Sequence, residues 1–397
     1  METAPKKPAP VASPSAHAAA PRPLAGLTAH VAGTILTPTA PTPPPNTTQT
    51  GSNWTINQGV AVDSNRRRFG LELVNIALAA ATHTQDAVAC ARELLGGKQL
   101  NITAKASAVD PVTVVDIFAQ QRITEILRHQ RPHDTVIGEE TTSDEELPPA
   151  DSEITWIVDP IDGTVNFIYG IPAYGISICA VDNTGYLLAG VIANCATGEV
   201  AYAWHGGGAH LVRRPQLGTA LSTQHHPTTT ANTPPANATV TDMVDWLNTT
   251  LSTPHHFGMV DQQATSTNAT TLHPAHPATL AQALLATGFS YQSTNRKQQA
   301  TLLTQILPNV RDIRRRGSAA IDLLSVAHGQ TDCYLEHCLN VWDWAAGILI
   351  AAEAGAIVSL APLDQRAEDN ALIAVCAPSI ADEFTHLLNT IPQHLTQ

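Results

Sequence analysis

From Leu71 to Leu95 apolar residues recur at helical spacing until Gly96-Gly97 ends the run, and Thr113 to Arg128 repeats the pattern. Both stretches read as amphipathic helices. Thr135 to Gly138 is a short strand leading into Glu139-Glu140, and Ile154 to Val158 reads as a buried strand that stops at Asp159-Pro160. Tyr174 to Val181, Leu187 to Ala193 and Glu199 to Trp204 follow as strands parted by Gly or Asn turns, an antiparallel series. Helix and strand signals then mix through Leu280 to Ala286, Ile321 to Ala327, Ala345 to Ala354, Ile357 to Leu360 and Leu372 to Val375, with a closing helix from about Pro378-Ser379. Helices and strands without a strict βαβ rhythm predict a layered α/β or α+β fold.

Two stretches lack such periodicity. Residues 1–65 are rich in Pro, Ala and Thr and are expected to be disordered, because they bury too little apolar surface to offset their ordering entropy. Residues 219–279, dense in Thr, His, Pro and Asn, read as a surface insertion, with Met243 to Leu247 able to form a helical turn. The expected organisation is a tail over 1–65 and one catalytic domain over 66–397 carrying that insertion.

At 397 residues and 43% hydrophobic, the chain can bury a sizeable core. Acidic residues outnumber basic ones 34 to 21, and a net charge of -13 disfavours direct nucleic-acid binding. The same charge disfavours a phosphate ligand, so a phosphate site here needs local positive charge, which bound cations can supply. Six scattered cysteines read as reduced residues of a cytoplasmic protein. Cys333, His337 and Cys338 lack a fourth ligand nearby, so buried structural roles are preferred over zinc. No apolar run is long enough for a membrane span, and no apolar h-region follows Lys6-Lys7.

The chemistry concentrates in Trp156-Ile157-Val158-Asp159-Pro160-Ile161-Asp162-Gly163-Thr164. A buried strand delivers Asp159 at its end, and Pro160 returns Asp162 to the same side. Carboxylates so close repel unless a cation lies between them, and oxygen ligands suit hard ions such as Mg2+. Gly163 permits close backbone approach, and a helix starting at Thr164 would offer free N–H groups to a phosphate. The plainer alternative makes Asp162-Gly163 an ordinary turn and Asp159 a cap. Further acids weigh against it: Asp116 on the second helix, Glu139 at a strand end, and Asp343 between Trp342 and Trp344. Asp343 also suits a helix cap, a role compatible with metal binding.

These segments, with Thr287-Gly288-Phe289, Arg316-Gly317-Ser318-Ala319-Ala320 and Tyr334-Leu335-Glu336, resemble the inositol monophosphatase family, most closely its bacterial SuhB-type members. The resemblance runs from about Arg68 to the C-terminus, apart from the insertion. It implies a layered αβαβα sandwich, a homodimer, sensitivity to Li+ and two or three Mg2+ ions per site. Glu139, Asp159 and the Ile161 carbonyl would hold one ion, and Asp159, Asp162 and Asp343 a second, with a third near Glu139. Asp116 and Thr164 would polarise the attacking water, and the Gly163 and Thr164 N–H groups would bind phosphate. Glu336, Asp162 and the backbone of Gly317, Ser318 and Ala319 would contact substrate hydroxyls.

The activity so implied is hydrolysis of a small phosphorylated polyol, inositol-1-phosphate first. Fructose-1,6-bisphosphate, histidinol phosphate, NADP and 3'-phosphoadenosine phosphates are the alternatives within the superfamily. Arg311 and Arg314-Arg315-Arg316 are candidate contacts for a second phosphate. An alternative of another class is a binding factor of the transcription machinery, acting through protein contacts.

Overall fold

A computed structural model of the chain describes residues 24–39, 53–95, 111–141, 152–213, 239–251, 269–392 and 395. The chain runs through β1 (Thr34–Thr39), β2 (Asn53–Gln58), α1 (Ser64–Leu94), α2 (Pro111–Gln130), β3 (Thr135–Gly138), β4 (Ile154–Asp162) and α3 (Thr164–Tyr169). It continues as β5 (Gly175–Asp182), β6 (Leu187–Asn194), β7 (Glu199–Trp204), β8 (Gly208–Arg213), α4 (Val240–Thr250), β9 (Thr270–Thr271) and β10 (Leu284–Thr287). The last part comprises α5 (Ser293–Ile306), β11 (Asp312–Arg314), α6 (Ala319–Ala327), β12 (Cys333–His337), α7 (Val341–Glu353), β13 (Ile357–Ser359), β14 (Leu372–Cys376) and α8 (Ala381–Thr390).

The strands form two seven-stranded sheets, ordered β3-β4-β5-β6-β7-β8-β9 and β11-β10-β12-β14-β13-β1-β2. Helices α1 and α2 cover one face of the first sheet, and α6 and α7 fill the space between the sheets. Helices α5 and α8 cover the far face of the second sheet. The result is an αβαβα sandwich. Every residue of β4 is buried, which accounts for the apolar weight of Ile154, Trp156, Ile157 and Val158 ahead of its acids. Trp344 is fully buried in the core between the two sheets.

The structure departs from the sequence expectation in the N-terminal region and enlarges the helical turn expected at Met243 to Leu247. Within residues 1–65, expected to be disordered, residues 24–39 and 53–65 are built into the fold. Strand β1 pairs in parallel with β13 and antiparallel with β2, extending the second sheet. Leu36 and Trp54 are buried beneath α8, and Asn389 bonds both the N–H and the carbonyl of Trp54. Within 219–279, α4 is a capped helix: Thr239 and Asp242 form a reciprocal capping box, and Val244 and Leu247 pack toward α2. Strand β9 also falls within the second stretch; it pairs with β8, and Leu272 beside it is buried. Residues 1–23, 40–52, 219–238 and 252–268 lie outside the described residues.

Candidate active site

Strand β4 sets the position of the acids. It pairs in parallel with β3 up to Gly138↔Val158 and antiparallel with β5 at Asp159↔Ser177, after which the register shifts to Asp162↔Gly175. The expected turn at Pro160 is therefore a bulge inside a longer strand, and it presents Asp159 and Asp162 to one side. Beside it, the Glu139 N–H donates to the Val158 carbonyl at 3.2 Å, carrying the ladder one residue past β3. Ser177, the partner of Asp159 in register, donates through its hydroxyl to the Trp342 carbonyl at 3.1 Å. That bond ties the start of α7 to the strand end and brings Asp343 alongside.

Asp159, Asp162 and Asp343 each place a carboxylate oxygen within 4.8 Å of the others. Asp159 is 1% exposed and Asp162 8%. Burial raises the Asp159 carboxyl well above its ordinary value, and the charges of Glu139, Asp162, Asp343 and Asp116 raise it further. Asp343 is raised in the same way by burial, then by Asp162 and Glu139. Part of the Glu139 residue surface stays exposed, but the protein packed around its carboxyl and the charges of Glu140 and Asp162 push it up to about 7. Asp116 is buried on α2 and adds its charge to the same group.

Each carboxylate is held by the backbone. The Ile161 N–H donates to Asp159 Oδ1 at 3.0 Å, and the Thr164 hydroxyl donates to the Ile161 carbonyl at 3.1 Å. Asp343 Oδ2 accepts the Asn340 N–H at 2.7 Å, so Asp343 does serve the helix capping box while joining the acid group. Asp162 Oδ2 accepts the Ser318 hydroxyl at 2.7 Å and the Ala320 N–H at 2.6 Å, at the start of α6. The Ser318 side chain is thereby engaged with Asp162, and the substrate contact expected of Ser318 concerns its backbone. The Gly163 and Ala319 N–H groups also favour the ionised form of Asp162. Gly163 has φ +91°, and an added Cβ would lie 2.9 Å from the Ala173 carbonyl oxygen and 3.1 Å from Ser318 Cβ.

The organising roles of two residues escaped the sequence reading. Asn166 donates to the carbonyls of Ala173 at 2.6 Å and Arg316 at 2.7 Å, fixing Gly317 beside Gly163. The Tyr334 hydroxyl donates to Glu336 Oε2 at 2.8 Å and aims that carboxylate. Burial chiefly holds Glu336 at about 7, with Tyr334 and Arg315 opposing it and Asp162 adding to it. An Asn two residues after an Asp-Gly-Thr sequence carries no recognisable signal by itself, and neither does a Tyr at i−2 in a strand.

A cavity of about 520 Å3, lined by Gln120, Thr124, Arg128 and Val136 among others, lies along α2 and does not include the acid trio. The His337 ring nitrogens sit 2.8 Å from the carbonyl oxygens of Asn370 and Leu395, leaving no side open to a metal. None of the six cysteines is in a disulfide. No described helix is long and apolar enough to cross a membrane.

Oxygen-only donors, clustered and largely buried, with no basic side chain bonded to the trio among the described residues, fit a hard divalent cation. A family model described as inositol monophosphatase family matches residues 71–253 and 250–393. An inositol-1-monophosphatase of Mycobacterium leprae is 38% identical over 315 residues, 77% of this chain and 90% of that protein. A Pasteurella multocida protein named Nus factor SuhB is 29% identical over 287 residues, 72% of this chain and 84% of its own. The solved structure of Mycobacterium tuberculosis SuhB matches with a TM-score of 0.57 at 34% identity, over 82% of this chain and 97% of that one. Fold, acid cluster and relatives define the class, a metal-dependent phosphoric monoester hydrolase. Within that class the chain belongs to the inositol monophosphatase family.

Proposed function

We propose that this site hydrolyses the phosphate monoester of a small polyol, with inositol-1-phosphate the preferred substrate and Mg2+ the metal. The observation that carries the reading is the convergence of Asp159, Asp162 and Asp343 to within 4.8 Å beside the start of α3. Glu139, Asp159 and the Ile161 carbonyl would hold one ion and Asp159, Asp162 and Asp343 another, with a third near Glu139. Bound there, Mg2+ would supply the positive charge that the acids lack and favour deprotonation of water near neutral pH.

The chain's own residues do the rest. Asp116 and Thr164 orient the attacking water. The first N–H groups of α3, which have no intrahelical acceptor, receive phosphate oxygens. Glu336, aimed by Tyr334, accepts hydroxyls of the leaving alcohol. No residue of the chain needs to carry the phosphoryl group, so attack is direct and in line. The experiment is phosphate release with Mg2+ from inositol-1-phosphate, fructose-1,6-bisphosphate, histidinol phosphate and NADP, beside an Asp343→Asn variant. Turnover by the variant at the wild-type rate would exclude this site.

The name of the Pasteurella relative favours a second role, binding to transcription machinery. Pull-down of such partners by the inactive variant would support it; complementation lost with activity would assign the phenotype to catalysis. A homodimer, Li+ sensitivity and a cytoplasmic location belong to the same proposal.

A further inference from the structure

Between β10 and α5 the chain makes a short loop, Gly288 to Gln292, whose backbone is unusually well fastened. The Ser290 N–H donates to Gln299 Oε1 at 2.9 Å, and Gln299 is itself buried and donates to the His337 carbonyl. Arg296 donates to the carbonyls of Ser290 at 3.1 Å and Tyr291 at 2.7 Å. Asn295 bridges Ser290 Oγ and Cys338 Sγ. Gly288 lies so near Glu336 that a Cβ there would meet both carboxylate oxygens at 2.2 Å.

Out of this pinned loop projects Tyr291, 78% exposed, the most exposed large hydrophobic side chain among the described residues. Folding gains little from an aromatic ring left in water, and none of the loop's bonds uses it. Its hydroxyl lies close enough to Asp162 and Glu139 to feel their charges, and the phenol stays neutral. Arg315, exposed and without an ion pair among the described residues, stands near both Tyr291 and Glu336 and folds its guanidinium over Gly317.

We propose that Tyr291 is a specificity-determining residue on the leaving-group side of the site. Its ring packs on the C–H face of a cyclic polyol whose hydroxyls reach Glu336 and Arg315. A ring on a fixed backbone loses little freedom when a ligand stacks on it, so the contact is worth more than one made by a mobile side chain. The proposal rests on the phosphatase reading above and narrows it to cyclic leaving groups.

The test compares inositol-1-phosphate with glycerol-2-phosphate, an acyclic ester, in Mg2+ for the full chain and its Tyr291→Ala and Tyr291→Phe variants. In Tyr291→Ala the preference in kcat/KM for the cyclic ester should fall roughly five- to tenfold, mainly through KM. Tyr291→Phe, which keeps the ring, should retain the wild-type preference. An unchanged preference in Tyr291→Ala overturns the inference while leaving the phosphatase intact, and so does an equal loss in both variants. Failure of the wild type to release phosphate from either ester overturns the phosphatase reading, and the inference with it.

Discussion

Replacing Asp159 by Asn should destroy activity and, without metal, make the protein more stable. Asp159 is buried among acids, and its oxygens lie within 4.8 Å of those of Asp162 and Asp343. Two ionised carboxylates at that separation repel by on the order of 3 kcal/mol at an effective dielectric of about 20. The apo protein escapes part of this by retaining protons, which itself costs stability above the pH where they would be released. Asn has neither problem, has nearly the same shape, and its Oδ1 can still accept the Ile161 N–H that Asp159 accepts at 3.0 Å. A net gain of about 2 kcal/mol corresponds to a rise in Tm of roughly 2–3 °C for a protein this large.

The pH sign follows from the raised carboxyls. A group held above its ordinary value contributes stability that is complete below that value and lost as pH rises through the raised one. With Glu139 at about 7, the advantage of Asp159→Asn should be small at pH 5.5 and largest near pH 8. Mg2+ should invert the order. Wild type gains about 2.7 kcal/mol at a concentration one hundred times Kd, while the variant gains little. Thermal melts in EDTA and in Mg2+, at both pH values, read all four conditions. A variant less stable than wild type in EDTA at pH 8, or equally stabilised by Mg2+, would refute the reasoning.

Two further outcomes are expected. Gly163→Ala places a side chain at φ +91° against the Ala173 carbonyl and Ser318, so stability should fall by roughly 1–3 kcal/mol and turnover more than tenfold, measured by urea melts and phosphate release. Trp54→Ala should cost about 3–5 kcal/mol, because Trp54 is 3% exposed beneath α8; a loss below about 1 kcal/mol would show that β1 and β2 are not integral to the sheet.

The acid site was readable where its causes are local and hidden where they are not. Strand β4 declares itself through a mainly apolar run, Ile154 to Val158, that ends in carboxylates, a combination that burial on both faces alone would not produce. Pro160 suggested a turn because its effect on φ is local, whereas the bulge exists only relative to the register of β5. Convergence of Asp343 depends on Ser177 reaching the Trp342 carbonyl across the sheet, and no spacing within the chain encodes that bond. Composition misjudged the N-terminal region for a related reason. Pro38 weakens a strand reading, but in β1 it lies beyond Ile35 and Leu36, the residues paired with β13, so the N–H it lacks is not needed on that side. Thr239 and Asp242 do spell a capping box, with Val244 and Leu247 on one face behind them, and Thr-rich surroundings masked it. Tyr291 is the extreme case. Nothing in a Gly-Phe-Ser-Tyr loop says that the ring is left in water while the backbone is fastened, and only those two facts together mark it as a surface built to meet a ligand.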